Sequence, residues 1–325
     1  MSAIRHEDKP EERVSSPVRQ EGRSIHVLVS SMSAGGRSVA VGPNVVRALR
    51  AGGWSVRVSV TTASDDPVAL AAASETSVVA GLGGDGFLSA IARGCHEAGL
   101  PFAPIPGGRG NDLCRALGIG HDPMQRARSL AELGFRSSQS DQELALRLKP
   151  LDGMWVKSED GRKILVLGLV SLGLDARANI LANDSFLISG PLAYGYGAFG
   201  ALASYRPSRI LAMVDGAERE FTGWITSVSN SGCFGGGIRL VPESDLHDGR
   251  IELCHVGALP LRQAIPVLAG VVVGRAEGHE VIEVERIKEV EILEPRGMTA
   301  MADGDRVADI PFTVIGAPHA VDVLV

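Results

Sequence analysis

The chain has 325 residues, 45% of them apolar and 22% charged, as is usual for a soluble globular protein of about two domains. Its formal charge is −6, from 32 basic and 38 acidic residues. Proteins that bind a polyanion mainly through their net charge are basic. The net negative charge of this chain therefore argues against nucleic acid as a partner.

The cysteines and the apolar runs indicate a cytoplasmic protein. The four cysteines lack C-x-x-C spacing, which predicts reduced thiols rather than a disulfide framework or a zinc site. The longest apolar runs are far shorter than a membrane span requires. The N-terminus also lacks the apolar segment of a secretory signal, so we expect none.

The first part of the chain predicts an α/β domain. Residues 1–23 mix charges with Pro and Ser without apolar periodicity, which predicts a disordered tail. From Ile25, apolar runs of strand length alternate with helix-like stretches as far as a helical stretch near Gln125–Leu133. Such alternation is typical of βαβ units, so we expect a parallel sheet in an α/β domain over residues 24–142.

The second part predicts mainly antiparallel β structure. After about Glu143, strand-like runs become denser. Only two helical stretches interrupt them, around Pro191–Tyr205 and Leu261–Val273. This pattern predicts a second domain, mainly of β structure, over residues 143–317.

A glycine-rich turn follows the third predicted strand. The run Ser77–Ala80 leads into GLGGDGFLSAIARG, and a strand followed by glycines and a helix directs backbone N–H groups at a phosphate. Asp85 lies among the glycines and would repel phosphate unless a cation such as Mg²⁺ lies between them. A Rossmann fingerprint would need an acid around Ala103–Pro106, where none stands, and the Lys of a Walker A loop is missing. A plain glycine turn that closes a βα unit is the alternative.

A second glycine loop supports phosphate binding. The strand PFAPI is followed by PGGRGNDLCRALGI, in which Asn111 or Asp112 could instead cap the helix. Glycine loops at the carboxyl ends of successive parallel strands flank one crevice, so Asp85 and Asp112 could share a site. Two carboxylates beside a phosphate-binding surface favour Mg²⁺ and phosphoryl transfer.

These motifs, in this order, resemble the diacylglycerol kinase-type lipid kinase family, relatives of the NAD kinases. The family's G-G-D-G run is matched by Gly83–Gly86, and its second glycine run by Gly108–Gly118. SLGLDA (Ser171–Ala176), the stretch NSGCFGGGIRLVPESDLHDGRIEL and ADGDRV near the C-terminus resemble three further family motifs. The resemblance covers roughly residues 25–325.

The resemblance implies a nucleotide-binding α/β domain and a C-terminal β-sandwich, with the last strand, 318–325, returning to the first domain. It implies an ATP- and Mg²⁺-dependent kinase that phosphorylates a lipid hydroxyl, first of all that of diacylglycerol. The residues that it assigns to the nucleotide and its Mg²⁺ are Thr61, Gly83, Gly84, Asp85, Gly86, Gly108, Asn111 and Asp112.

The resemblance also assigns catalytic roles and a second metal site. Asp305 falls at the family's catalytic carboxylate and would accept the proton of the acceptor hydroxyl, while Asp85 and Asp112 organise Mg²⁺. Asp248 matches a structural Mg²⁺ loop, together with backbone carbonyls of Asp245 and Arg250. An ordinary Asp-Gly turn is the alternative for this loop.

Several positions depart from the family pattern. Phe87 replaces a Thr, Ser89-Ala90 replaces Asn-Glu, and Arg109 replaces the Thr of the second loop. Ser30-Ser31 stands where the family has Asn-Pro, and Asp305 replaces a Glu. These changes leave open a protein that binds nucleotide or lipid without catalysis, and the shared G-G-D-G run leaves open an NAD kinase.

The acceptor implies contact with a membrane surface. The stretch GPLAYGYGAFGALASYRPSR could line an acyl-chain slot, or it could be a core helix of the β domain. We therefore expect a cytoplasmic protein whose partners are ATP and a lipid, with peripheral membrane contact and no transmembrane segment. The sequence leaves a homodimer open.

Overall fold

The computed structural model describes residues 23–135, 146–174, 176, 205–234, 237–239, 241–272, 278–303 and 305–325. Three expectations from the sequence lie outside these ranges. They are the predicted disordered tail (residues 1–22), nearly all of the first predicted helix of the second part (residues 191–204) and the boundary between the two predicted domains (residues 142–143).

The first part of the described chain is a parallel sheet between helices. Its elements are β1 (Ser24–Ser30), α1 (Arg37–Ala51), β2 (Ser55–Thr61), α2 (Pro67–Ala72), β3 (Val78–Gly83), α3 (Asp85–Ala98), β4 (Phe102–Pro106), α4 (Asp112–Ala116) and α5 (Pro123–Phe135). The strands pair in parallel in the order β2-β1-β3-β4. Because helices pack on both faces, β1, β3 and β4 are buried almost throughout. The predicted α/β class is confirmed.

The remaining chain is mainly antiparallel. Its elements are β5 (Leu148–Ser158), β6 (Lys163–Val166), β7 (Leu169–Gly173), β8 (Ser208–Val214), β9 (Ala217–Ser229), β10 (Cys233–Phe234), β11 (Ile238–Arg239), β12 (Ile251–Gly257), α6 (Leu261–Val272), β13 (Ile282–Ile287), β14 (Glu289–Glu294), β15 (Thr299–Ala302), β16 (Asp305–Asp309) and β17 (Phe312–Leu324). The order β7-β9-β8-β14 is antiparallel throughout, and side chains such as Ile210, Val228 and Val290 form its apolar core. The predicted class of the second part is confirmed.

Strand β17 runs from the antiparallel part into the parallel sheet. It pairs antiparallel with β5 and β14, and its Val323 pairs in parallel with Phe102 of β4. Arg126 of α5 donates hydrogen bonds to the carbonyl oxygens of Pro104, at 3.1 Å, and Leu324. Burial lowers the pKa of Arg126 to about 10, and these carbonyl partners offset part of the cost of burying its charge. The end of the chain is therefore held against the parallel sheet.

An apolar cluster joins the two parts. Leu88 and Ile91 of α3 belong to the same buried cluster as Leu165, Leu167 and Leu246 of the antiparallel part. Because these side chains leave water together, the start of α3 is held against the β structure. Among the described helices, none is long and apolar enough to cross a bilayer.

Candidate active site

The two predicted glycine loops meet at the carboxyl ends of β3 and β4. A Cβ atom on Gly108 would lie 2.5 Å from the Cα of Gly84. The N–H of Gly107 donates to the carbonyl oxygen of Gly83 at 2.7 Å. Side chains at this contact would push the loops apart, so the glycines are required for the packing of one loop on the other.

Asn111 closes the second glycine loop, and Asp85 ties the first loop to the second. The Asn111 side chain accepts a hydrogen bond from the N–H of Gly108 at 2.8 Å and donates to its carbonyl at 3.2 Å. It therefore closes its own loop and does not cap α4. That role falls to Asp85, which accepts a hydrogen bond from the N–H of Leu113 at 3.0 Å, in the first turn of α4. A carboxylate is favourable at this helix end.

The surroundings of Asp85 act on its pKa in two directions. Desolvation raises the pKa, while the backbone N–H groups of Leu113, Asp112 and Asn111 lower it. Asp112 is buried at the start of α4. The structure thus places Asp85 and Asp112 together at the start of α4, beside the glycine loops.

A third acid of this site, Asp303, lies beside the predicted base Asp305 on the turn between β15 and β16. Asp303 accepts a hydrogen bond from the Ser89 hydroxyl of α3 at 2.7 Å. Desolvation and then the charges of Asp85, Asp112 and Asp305 raise the pKa of Asp303 to about 7. The motif ADGDRV contains Asp303, but sequence analysis selected only Asp305 from it.

Asp305 faces the first glycine loop. A Cβ atom on Gly86 would lie 2.7 Å from Oδ2 of Asp305, so this carboxylate packs directly on the start of α3. The Asp305 side chain is exposed to solvent, yet the protein around its carboxyl excludes enough water to raise its pKa. An exposed carboxylate with a raised pKa can reach a second molecule and accept a proton from it.

A third loop, which sequence analysis missed, supports the first. Ser33 accepts a hydrogen bond from the N–H of Gly84 at 3.0 Å, and its hydroxyl donates to Ser30 at 2.8 Å. Ala34, Gly35 and Gly36 follow with positive φ angles of 48°, 67° and 89°, and they lead into α1. The sequence does contain a signal for this loop, because S-A-G-G stands between a strand and a helix, as the glycines of the other two loops do.

Thr61 is farther from these loops. It ends β2, and β1 lies between β2 and β3. Its hydroxyl donates to the carbonyl of Val29 at 3.3 Å, and its side chain is buried. The structure therefore shows Thr61 joining two strands at the edge of the site.

The predicted second metal loop precedes β12. Asp248 accepts a hydrogen bond from the N–H of Arg250 at 2.9 Å, and Asp245 accepts one from the N–H of His247 at 3.0 Å. The loop is anchored by Asp152, which accepts from the N–H of Gly249 at 2.6 Å and was not identified from the sequence. These bonds are those of an Asp-Gly turn, the alternative interpretation.

Phe87, which replaces a Thr of the family pattern, is partly buried and packs against the apolar cluster that joins the two parts. A Cβ atom on Gly83 would lie 2.5 Å from its Cδ1. Arg109, the other large replacement, is exposed. The ring of Phe87 therefore occupies the place that a side chain at Gly83 would need.

Gly83→Ala is expected to destabilise the fold by about 1–3 kcal/mol, because its Cβ would overlap the ring of Phe87. In a Phe87→Ala background the same change should cost much less. Urea unfolding of the two single variants and the double variant measures this coupling. Gly42→Ala is the control, because its Cβ would meet only ordinary contacts of 3.7 Å or more. Equal costs of Gly83→Ala in both backgrounds would contradict the explanation.

The acids at these loops suit a divalent cation that is shared with a phosphate. The charges of Asp85, Asp112 and Asp305 oppose ionisation of Asp303, and a cation would relieve that repulsion. Mg²⁺ commonly binds through one or two carboxylates together with phosphate oxygens. Within the described ranges, no group of three or more His, Cys, Asp and Glu side chains is placed to hold a metal by itself.

Comparisons with known proteins identify the family. A diacylglycerol kinase catalytic domain model matches residues 24–139, and a YegS C-terminal NAD kinase beta sandwich-like domain model matches 168–325. A diacylglycerol kinase of Mycobacterium tuberculosis is 23% identical, with 94% of this chain and 96% of that protein covered. A Pseudomonas aeruginosa protein named "Probable lipid kinase YegS-like" is 29% identical, with 80% and 81% covered.

A solved structure shares the fold. The crystal structure of a diacylglycerol kinase from Bacillus anthracis covers 94% of this chain and 98% of its own, with a TM-score of 0.71 at 18% identity. Together, the two matched models extend over both parts of the chain. The chain belongs to the diacylglycerol kinase-type lipid kinase family, whose members are phosphotransferases that act on an alcohol group of a lipid.

Proposed function

We propose that the chain transfers the γ-phosphate of ATP to a lipid hydroxyl and that diacylglycerol is its acceptor. The packing of the Asp305 carboxylate on Gly86 is the observation that carries this proposal. It brings a group able to accept a proton to the loops whose backbone N–H groups suit phosphate. The same acceptor is named for the M. tuberculosis relative.

The residues take the following roles in the proposal. The loops that contain Gly83–Gly86 and Gly108–Asp112 bind the phosphates, with Thr61 at their edge. Asp85 and Asp112 hold Mg²⁺ with phosphate oxygens, where the cation would neutralise charge on the transferred group. Asp305 accepts the proton of the acceptor hydroxyl while the new ester O–P bond forms and the bond from the γ-phosphorus to ADP breaks.

We also propose which part of the chain binds each substrate. Residues 24–142, with 318–325, would bind ATP, and residues 143–317 would bind the acceptor, a division that the pairing of β17 with β4 supports. A water-insoluble acceptor requires peripheral contact of a cytoplasmic protein with the membrane. The family resemblance proposes a second Mg²⁺ at Asp245, Asp248 and Arg250, although the bonds of Asp248 favour the turn.

Transfer of label from γ-³²P-ATP tests the function. The purified chain would receive mixed micelles of diacylglycerol, a sphingoid base or monoacylglycerol, with NAD in a parallel reaction. We expect labelled phosphatidic acid, dependent on Mg²⁺ and abolished by EDTA. Labelled NADP would instead indicate an NAD kinase. No label on any acceptor, with ATP binding intact in equilibrium dialysis, would contradict a kinase and support a binding protein.

A further inference from the structure

One face of α3 contacts both acids of the carboxylate turn, a name we use for Asp303, which follows β15, and Asp305, which begins β16. Gly86 and Ser89 are three residues apart and therefore share this face. The position of a Gly86 Cβ lies 2.7 Å from Oδ2 of Asp305 and 3.3 Å from the carbonyl oxygen of Asp303. One helical turn later, the Ser89 hydroxyl donates to Oδ2 of Asp303 at 2.7 Å.

Ser89 holds Asp303 from one side, and Gly168 makes room for it on the other. The Ser89 side chain is 7% exposed, so little water competes for its hydroxyl. A Cβ atom on Gly168 would lie 2.3 Å from Oδ1 of Asp303, so only glycine admits the carboxyl there. Asp303 has a φ of 51°, a conformation that costs about 1–2 kcal/mol for a non-glycine residue and persists only where its surroundings enforce it.

We propose that Ser89 is a positioning residue whose hydroxyl holds Asp303 and thereby fixes Asp305 above the first glycine loop. The consequence for catalysis rests on the proposed phosphoryl transfer, whereas the restraint of the turn does not. Asp305 is two residues from the hydrogen bond, and its backbone pairs with Ala302, the residue that precedes Asp303, so the two acids are held together. Displacement of a reacting group by about 1 Å can lower a rate by about 100-fold.

Ser89→Ala and Ser89→Thr test the proposal by two independent measurements. With the best lipid acceptor, Ser89→Ala should lower kcat about 10- to 100-fold and leave KM for ATP nearly unchanged, because the nucleotide loops keep their contacts. Ser89→Thr keeps the hydroxyl and should restore most of kcat. Ser171→Ala is the matched control, since its buried hydroxyl lies 3.4 Å from the carbonyl of Met301 on β15 and does not contact Asp303.

Hydrogen–deuterium exchange of residues 299–309 gives the second measurement, which needs no turnover. We expect faster exchange of this segment in Ser89→Ala than in the wild type and in Ser89→Thr, with exchange elsewhere in the described chain unchanged. Unchanged exchange in Ser89→Ala would overturn the restraint, even if no lipid is phosphorylated. The positioning role would be overturned if Ser89→Ala left kcat unchanged or raised only KM for ATP. It would also be overturned if Ser89→Thr lost as much kcat as Ser89→Ala. In each case phosphoryl transfer by the wild type would still stand.

Discussion

Replacing Asp305 by asparagine is expected to lower kcat for phosphate transfer to lipid by about 10²- to 10⁴-fold, the usual contribution of a general base. The amide keeps the size of the side chain and its contact with Gly86, but it cannot accept the proton of the acceptor hydroxyl. KM for ATP should change little, because the amide keeps the size of the side chain beside Gly86 and so leaves the first glycine loop in place. Steady-state assays with ATP and a saturating lipid acceptor measure both constants.

Asp309→Asn is the matched control for this variant. Asp309 ends the same strand, is exposed, and accepts a hydrogen bond from the Thr299 hydroxyl at 2.5 Å. An amide oxygen can accept the same bond, so we expect wild-type kcat. A similar kcat for Asp305→Asn and Asp309→Asn would show that Asp305 is not the base. A large rise in KM for ATP at unchanged kcat would assign Asp305 to nucleotide binding instead.

Periodicity and glycine spacing predicted the fold of both parts because these signals are local. Strands β1, β3 and β4 are mostly apolar and almost entirely buried, as expected of a parallel sheet that helices cover on both faces. The two glycine loops could be paired in advance because adjacent parallel strands end at one edge of their sheet. This pairing led to the expectation that Asp85 and Asp112 could share a site, and the structure places Asp85 against the first turn of α4, where Asp112 lies.

The contacts between the loops and the β structure could not be predicted in the same way. Ser89 and Asp303 are separated by 214 positions, and no local pattern shows that they form a hydrogen bond. Asp85 caps a helix that begins 27 positions later, a role for which Asn111 and Asp112 were the nearer candidates. From the sequence, Phe87 was interpreted as the loss of a hydroxyl, whereas in the structure its ring packs against the apolar cluster that joins the two parts.

Asp303→Asn is expected to stabilise the metal-free protein at neutral pH and to have almost no effect near pH 4. The pKa of Asp303 is about 7 in the folded chain and about 3.8 in the unfolded chain. Below pH 3.8 both states are protonated. Between these values the folded chain keeps a proton that the unfolded chain has lost, so the free energy of unfolding falls as pH rises. Above pH 7 both states have lost this proton, and the free energy of unfolding no longer depends on it.

The expected size of this effect follows from the shift of about three units. At 1.36 kcal/mol per unit the upper limit is about 4 kcal/mol, and about 2–4 kcal/mol is expected because Asp303 is partly exposed. Urea unfolding in EDTA at several pH values between 4 and 8 measures it. Asp160→Asn, on an exposed turn, is the control for an Asp-to-Asn replacement outside the site.

Parallel stability curves for Asp303→Asn and the wild type would contradict the raised pKa of Asp303. If the two curves diverge as expected, the variant with asparagine is the more stable protein at neutral pH. Its amide oxygen can also accept the hydrogen bond from the Ser89 hydroxyl. Burial, and then the charges of Asp85, Asp112 and Asp305, destabilise the ionised Asp303 carboxyl in the metal-free fold. A divalent cation bound beside these acids would remove the part of this cost that comes from charge repulsion. Adding Mg²⁺ and a non-hydrolysable ATP analogue should therefore narrow the difference between the two curves above pH 7.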